Sequence, residues 1–183
     1  MIRTALLAAA AFTIVAAAPA GIMSAYDVTM TRIDGEPLPF ARYKGKVIMV
    51  VNTASMCGNT PQYEGLEKLY DTYSARGLTI IGVPSKDFGG QEYGTNKEVK
   101  TFCDTKFGIK FPLTETSVVK GPDAVPFYRW AAATLGPDQV PTWNFHKYLV
   151  GRDGRLIRAF GNRVQPGAPE VKAAVEAALA ARG

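Results

Sequence analysis

A three-layer α/β sandwich is the architecture this sequence predicts, and three observations carry it. Two apolar runs, "KVIMVVN" (Lys46 to Asn52) and "LTIIGVP" (Leu78 to Pro84), have no helical period and read as strands buried on both faces. An amphipathic segment separates them, so strand, helix and strand form a βαβ unit whose right-handed crossover is strongly preferred. Later, "WNFHKYLVGRDGRLIRAF" reads as two strands joined near Asp153-Gly154, and "PEVKAAVEAALAAR" as a closing helix begun by Pro169. A βαβ unit followed by a ββα unit on one central sheet is the plan of thioredoxin-like folds, with a generic α/β arrangement as the alternative.

Each element has a local cause. "YDVTMTRIDGEPLPF" alternates weakly around Asp34-Gly35, which suits a leading hairpin that extends the fold at its N-terminus. After the first buried strand, Thr60 is a candidate cap and Pro61 fits a first helical turn. Tyr63, Leu66, Leu69, Tyr70 and Tyr73 then recur at helical spacing as far as Gly77. "KDFGGQEYGTN" is a glycine-rich loop. Thr95 and Glu98 form a capping-box signature for a helix that carries Val99, Phe102 and Cys103 on one face and ends at Gly108. "AVPFYRWAAATLG" reads as a further helix.

The first 20 residues, "MIRTALLAAAAFTIVAAAPA", combine Arg3, an uncharged apolar stretch and small residues at Ala18 and Ala20. That is the pattern of a cleaved export signal, with a cleavage site that could fall as late as residue 25. The apolar stretch is short for a spanning helix, so a retained membrane anchor is the weaker reading. Residues 26–183 are then expected to form one domain, periplasmic or extracellular, where a disulfide can persist. At 183 residues, with 47% hydrophobic and 20% charged, the composition is that of an ordinary globular domain. The formal charge of +5 is spread without a run of five like charges, which reads as a solvated surface and not a nucleic-acid interface.

Chemistry concentrates at "NTASMCGNTPQYEGL". Cys57 falls in the loop between the first buried strand and its helix, at the carboxyl end of the sheet where open α/β folds place their sites. Proximity to a helix N-terminus favours the thiolate, the reactive form. A dithiol exchange site needs C-x-x-C, but Thr60 stands where the second cysteine belongs. A cysteine hydrolase needs a histidine base, and His146 is the one histidine in the chain; a single histidine also excludes most metal sites. Attack on a peroxide needs neither partner, only amide or indole donors around the sulfur and the leaving oxygen. The residues by themselves leave other readings open. These are a redox relay passing oxidation to a partner protein, an exported thiol-disulfide oxidoreductase, and a structural Cys57–Cys103 bridge.

Three blocks resemble the signature regions of glutathione peroxidases in order and spacing. They are "KGKVIMVVNTASMCGNTPQYEGLEKLY", "FGGQEYGTN" and "WNFHKYLVGRDGR", within a similarity running from about Tyr26 to the final helix. The resemblance implies a thioredoxin-like peroxidase that uses no cofactor. Cys57 matches the peroxidatic position, and Gln91, Trp143 and Asn144 match the rest of the family's catalytic tetrad. Trp143 and Asn144 are neighbours, and neighbours in a regular strand face opposite ways, so both can serve one sulfur only at an irregular strand entry; Pro141 suits one.

Cys103 matches the resolving cysteine of two-cysteine members, whose disulfide is reduced by thioredoxin-type proteins. A core role beside Val99 and Phe102 is the competing reading. A disulfide needs Cα atoms within about 7 Å, so residues 96–107 are expected to unwind partly during turnover. "PSKDFGG" departs from the family's Pro-Cys-Asn-Gln-Phe-Gly: Ser85 replaces a third cysteine, and Lys86-Asp87 replace Asn-Gln. The short "AAATLGPDQVPTWNF" lacks the longer loop of tetrameric, glutathione-using relatives. The resemblance therefore implies a monomer that reduces hydrogen peroxide, and organic or lipid hydroperoxides, with a thioredoxin-type protein or a low-molecular-weight thiol as reductant.

Overall fold

Both apolar runs become neighbouring strands of one sheet in the computed structural model, which describes residues 21–181. The expected export segment, residues 1–20, lies outside the described residues. A small antiparallel hairpin comes first, β1 (Thr29–Thr31) and β2 (Pro37–Pro39), turning at Gly35. The main sheet contains β3 (Val47–Thr53), β4 (Leu78–Pro84), β5 (Lys147–Val150) and β6 (Leu156–Phe160), in the order β4-β3-β5-β6. β3 and β4 are parallel, in register from Val47 opposite Leu78 to Thr53 opposite Pro84. β5 is antiparallel to β3 and β6 to β5, as the βαβ and ββα units require.

Among the described residues, four α-helices cover the two faces: α1 (Gln62–Tyr73), α2 (Asn96–Phe107), α3 (Pro126–Leu135) and α4 (Pro169–Ala180). Alternation along β3 sorts its residues between two core layers. Val47, Met49 and Val51 join α1, α2 and α4, while Ile48 and Val50 join α3 and the leading hairpin. Every residue of β3 and β4 is buried, which explains why both strands read as unbroken apolar runs. Inside β4, Gly82 is required by close approach: a Cβ there would lie 2.6 Å from Leu113 Cδ2.

Two local expectations need correction. Thr60 does not cap α1, whose N-cap position is Pro61 with no side-chain hydrogen bond; the Thr60 hydroxyl is committed to the Cys57 loop. The first strand of the C-terminal hairpin begins at Lys147 and not at Trp143. Residues 142–145 form a bend and turn instead, because Phe145 adopts a left-handed φ of 71° that no strand accommodates. By contrast, α2 has the capping box read from its sequence. Glu98 N donates to Thr95 Oγ1, Thr95 N donates to Glu98 Oε2, and Gly108 closes the helix with φ 59°.

Candidate active site

β3 delivers its chain to the carboxyl end of the sheet, and the loop from Ala54 to Thr60 turns back there into α1. Thr60 organises that loop: Cys57 N donates to its Oγ1 at 3.0 Å, and the hydroxyl donates to Ala54 O at 2.9 Å. Cys57 is thereby held with its side chain 7% exposed. Asn59 N donates to Cys57 Sγ at 3.4 Å, a contact that becomes charge-assisted when the sulfur is a thiolate. The neighbouring Met56 is half exposed, and its N–H donates to Gln91 O at 3.0 Å, tying the cysteine loop to the glycine-rich loop.

That second loop runs from Lys86 to Tyr93 after β4. The residues that depart from the family pattern hold it in place. Asp87 Oδ2 accepts from Val119 N at 2.6 Å and Lys120 N at 3.2 Å, Lys86 Nζ donates to Gly94 O at 3.3 Å, and Ser85 Oγ accepts from Asp87 N at 3.2 Å. Gly89 and Gly90 take φ of 72° and 64°, turning the chain so that Gln91 meets Asn144. Asn144 Nδ2 donates to Gln91 Oε1 at 3.2 Å. Asn144 is fully buried and its Oδ1 is left without a partner.

The third wall is the turn before β5. Asn52, the last polar residue but one of β3, clamps it from both ends: Nδ2 donates to Trp143 O at 3.1 Å and Oδ1 accepts from His146 N at 3.1 Å. Phe145 N donates to Asn52 O at 2.6 Å, and Asn59 Nδ2 donates to Asn144 O at 3.3 Å. A left-handed φ at an aromatic residue costs about 1–3 kcal/mol and persists only where its surroundings over-determine it, as these bonds do. The result is the irregular strand entry that lets consecutive residues serve one site. Asn144 is buried against Gln91, while Trp143 stacks on Phe88 with centroids 5.8 Å apart and stays 39% exposed. Gly58, Asn59, Thr142, Trp143, Asn162 and Arg163 line an open cleft of about 540 Å³ beside it.

Cys57, Gln91, Trp143 and Asn144 are therefore brought to one end of the sheet. In the reduced protein the two amides bond each other, and among the described residues the hydrogen bond onto Cys57 Sγ comes from Asn59 N–H. Sequence reasoning passed over Asn52 and Asn59; an asparagine closing an otherwise apolar strand was the available signal. It passed over Lys147 as well. That side chain is fully buried, and its Nζ donates to Phe145 O at 2.6 Å and Val164 O at 2.8 Å; burial pulls its pKa down to about 7. Next to it, His146 packs edge-on against Tyr148, and burial, with the Lys147 charge second, lowers its pKa to about 4. A neutral histidine held this way is a core residue.

Cys103 occupies different surroundings. It is fully buried on the inner face of α2, and both cysteines are free thiols belonging to the same core layer. Burial pushes its thiol up to about 11; the nearby Tyr63 hydroxyl opposes that, and Glu92 and Asp104 reinforce it. The Tyr63 hydroxyl, near Cys103 and Thr53, completes no hydrogen bond of good geometry. Among the described residues, no group of three His, Cys, Asp or Glu could hold a metal ion, and no helix is long and apolar enough to cross a membrane.

Comparison with known proteins finds relatives over most of the chain. The chain is 40% identical over 162 residues to a hydroperoxy fatty acid reductase of Synechocystis sp., covering 84% of this chain and 95% of the relative. It is 42% identical over 144 residues to a glutathione peroxidase-like peroxiredoxin of Schizosaccharomyces pombe, covering 77% and 90%. The crystal structure of T. cruzi GPX1 superimposes with a TM-score of 0.68 at 26% identity, over 85% of this chain and 96% of that one. A Chlorobium tepidum thiol:disulfide interchange protein of the thioredoxin family, 22% identical with a TM-score of 0.61 over 88% and 99% of the two chains, shares the fold. Residues 25–132, more than half of the 183, match the glutathione peroxidase family model, and the chain belongs to that family.

Proposed function

We propose that Cys57 is the peroxidatic residue of this thiol-dependent peroxidase, and that Gln91, Trp143 and Asn144 activate it. The observation carrying this reading is the convergence of two separate segments on the Cys57 loop: Met56 bonds Gln91, Asn59 bonds Asn144, and Asn144 bonds Gln91. The Cys57 thiolate attacks one peroxide oxygen, the O–O bond breaks, and the departing hydroxide or alkoxide takes a proton to leave as water or alcohol. The Gln91 and Asn144 amides and the Trp143 indole are neutral donors suited to the charge that moves from sulfur to leaving oxygen. The thiol of Cys103 then condenses with the sulfenic acid: an S–S bond forms, the S–O bond breaks and water leaves. Two electrons from a thioredoxin-type protein or a low-molecular-weight thiol restore both thiols.

The open cleft, the exposed Trp143 that lines it and the exposed Met56 next to Cys57 in the loop favour organic and lipid hydroperoxides alongside hydrogen peroxide. The relative named as a hydroperoxy fatty acid reductase supports the same class. The leading segment supports export to the periplasm or beyond, and the short segment before Trp143 a monomer. The protein should consume peroxide faster with a thioredoxin system than with glutathione, and Cys57→Ser should abolish consumption with either. Peptide mass spectrometry after one equivalent of peroxide should find a Cys57–Cys103 crosslink. Unchanged turnover in Cys57→Ser would sink the assignment.

A relay reading has one observation in its favour, the burial of Cys103 with its raised pKa, which delays internal resolution and leaves time for a partner thiol. Slow turnover with every reductant, together with a mixed disulfide to a partner in Cys103→Ser, would favour it.

A further inference from the structure

The cleft beside Trp143 is lined by Gly58 and Asn59, next in sequence to Cys57, and by two further walls from different parts of the chain. One is Thr142 and Trp143 before β5; the other is Asn162 and Arg163 after β6. A single buried amine joins them. Lys147 Nζ donates to Phe145 O at 2.6 Å and to Val164 O at 2.8 Å, so each wall is anchored one or two residues from its lining side chains. Lys147 makes no ion pair among the described residues. A buried cation without a counter-charge is unfavourable, and a Met of similar length would fill the same space without that cost. What the amine adds is donors for two carbonyl oxygens, one of them on the left-handed Phe145.

Without its donor, the Phe145 carbonyl is a buried acceptor left unpaired, and the turn is free to leave the left-handed region. Rotation there reorients the Asn144–Phe145 peptide, and with it the Asn144 amide on Gln91 and the Trp143 ring on Phe88. Asn52 restrains the same turn from the opposite side.

We propose that Lys147 is a positioning residue for the peroxide step, tying the Trp143–Phe145 turn to the Asn162–Val164 segment so that both walls of the cleft stay fixed beside the Cys57 loop. The proposal rests on the reading of Cys57 as the peroxidatic residue. It adds a role for a side chain that never touches the reacting sulfur.

The test separates the half-reactions in the full-length protein. In Lys147→Met, the second-order rate of Cys57 oxidation by cumene hydroperoxide should fall about 10- to 100-fold, the range expected for misplacement near 1 Å. Reduction of the oxidised protein by dithiothreitol should stay within about twofold, because that step does not use the turn. Amide exchange at residues 144–146 should quicken in the same variant, a readout independent of activity. Asn52→Ala, which leaves Nζ in place, should show the same split and covers the case in which Lys147→Met does not fold. The double variant should lose little more than either single one, since both act on one turn. Oxidation of Lys147→Met at the wild-type rate, or equal slowing of both half-reactions in whichever variant folds, would overturn the proposal. Peroxide consumption persisting in Cys57→Ser would instead overturn the reading beneath it, leaving the exchange result to stand alone.

Discussion

Cys57 lies on a loop where a backbone N–H points at its sulfur and hydrogen bonds tie the loop to the segments of Gln91 and Asn144, whereas Cys103 lies on a closed helix with its thiol in the apolar layer between α2 and the sheet. Both side chains are nearly or fully buried, at 7% and 0% exposure, so burial alone does not separate them. The separating feature is how each backbone is held. The Cys57 loop is irregular but locked by side-chain hydrogen bonds. Cys103 sits in regular structure, and on its proposed resolving role α2 has to open before the two sulfurs meet, with the capping box at Thr95 and Glu98 adding to the cost of opening. On the proposed roles, the peroxide step would belong to a region held rigid and the resolving step to one that has to yield.

The largest expected contrast is in alkylation. A thiol titrating at about 11 is thiolate in about one part in 10⁴ at pH 7, about 100-fold less than an ordinary thiol titrating at 9.0, so iodoacetamide should modify Cys103 far more slowly than Cys57. Quantitative peptide mass spectrometry reads this directly, and comparable rates would mean that α2 is already open. The Cys103 rate should climb about tenfold per pH unit towards 11. Because the folded pKa is raised from 9.0, the burial of Cys103 stabilises the fold below pH 9, and that contribution is lost as pH rises through 11.

The rigid side has its own pH signature. His146 titrates at about 4 in the folded protein against an ordinary 6.5, so its stabilising contribution is complete above pH 6.5 and is lost as pH falls through 4. Urea unfolding should show a loss of about 3 kcal/mol across that window, flattened in His146→Phe. A pH-independent midpoint in the wild type would mean that the turn before β5 is already loose.

Thr60→Ala should cost about 2 kcal/mol, because the Cys57 N–H and the Ala54 carbonyl each lose a buried partner. Peroxide oxidation of Cys57 should slow with it, as followed by stopped-flow fluorescence. The smallest effect belongs to α2. Thr95→Ala removes the cap at a cost of about 1 kcal/mol, and formation of the Cys57–Cys103 disulfide should quicken up to about fivefold as opening becomes easier. Slower disulfide formation in that variant would show that Cys103 reacts from the intact helix.

Much of this contrast is legible along the chain. Val47 to Asn52 and Leu78 to Pro84 announce two central strands because burial on both faces demands unbroken apolar side chains. Thr95, Glu98 and Gly108 announce α2 because capping is a local interaction between residues close in sequence. Gln91, Trp143 and Asn144 are named through a family resemblance; the structure brings them to the Cys57 loop, and their roles remain proposals. Thr60 misleads because a threonine before Pro61 has the composition of a cap, while its hydroxyl is taken by Cys57 N and Ala54 O.

The sequence by itself determined the order of elements, the layer architecture and the singular position of Cys57, since these depend on periodicity, capping and spacing. Only the tertiary structure decided that Phe145 turns left-handed, that Asn52 and Lys147 hold that turn, and that Cys103 lies sealed beneath α2. The physical reason is range. Lys147 reaches Val164 across 17 residues and Asn52 reaches Trp143 across 91, and hydrogen bonds between such partners leave no periodic trace in the chain.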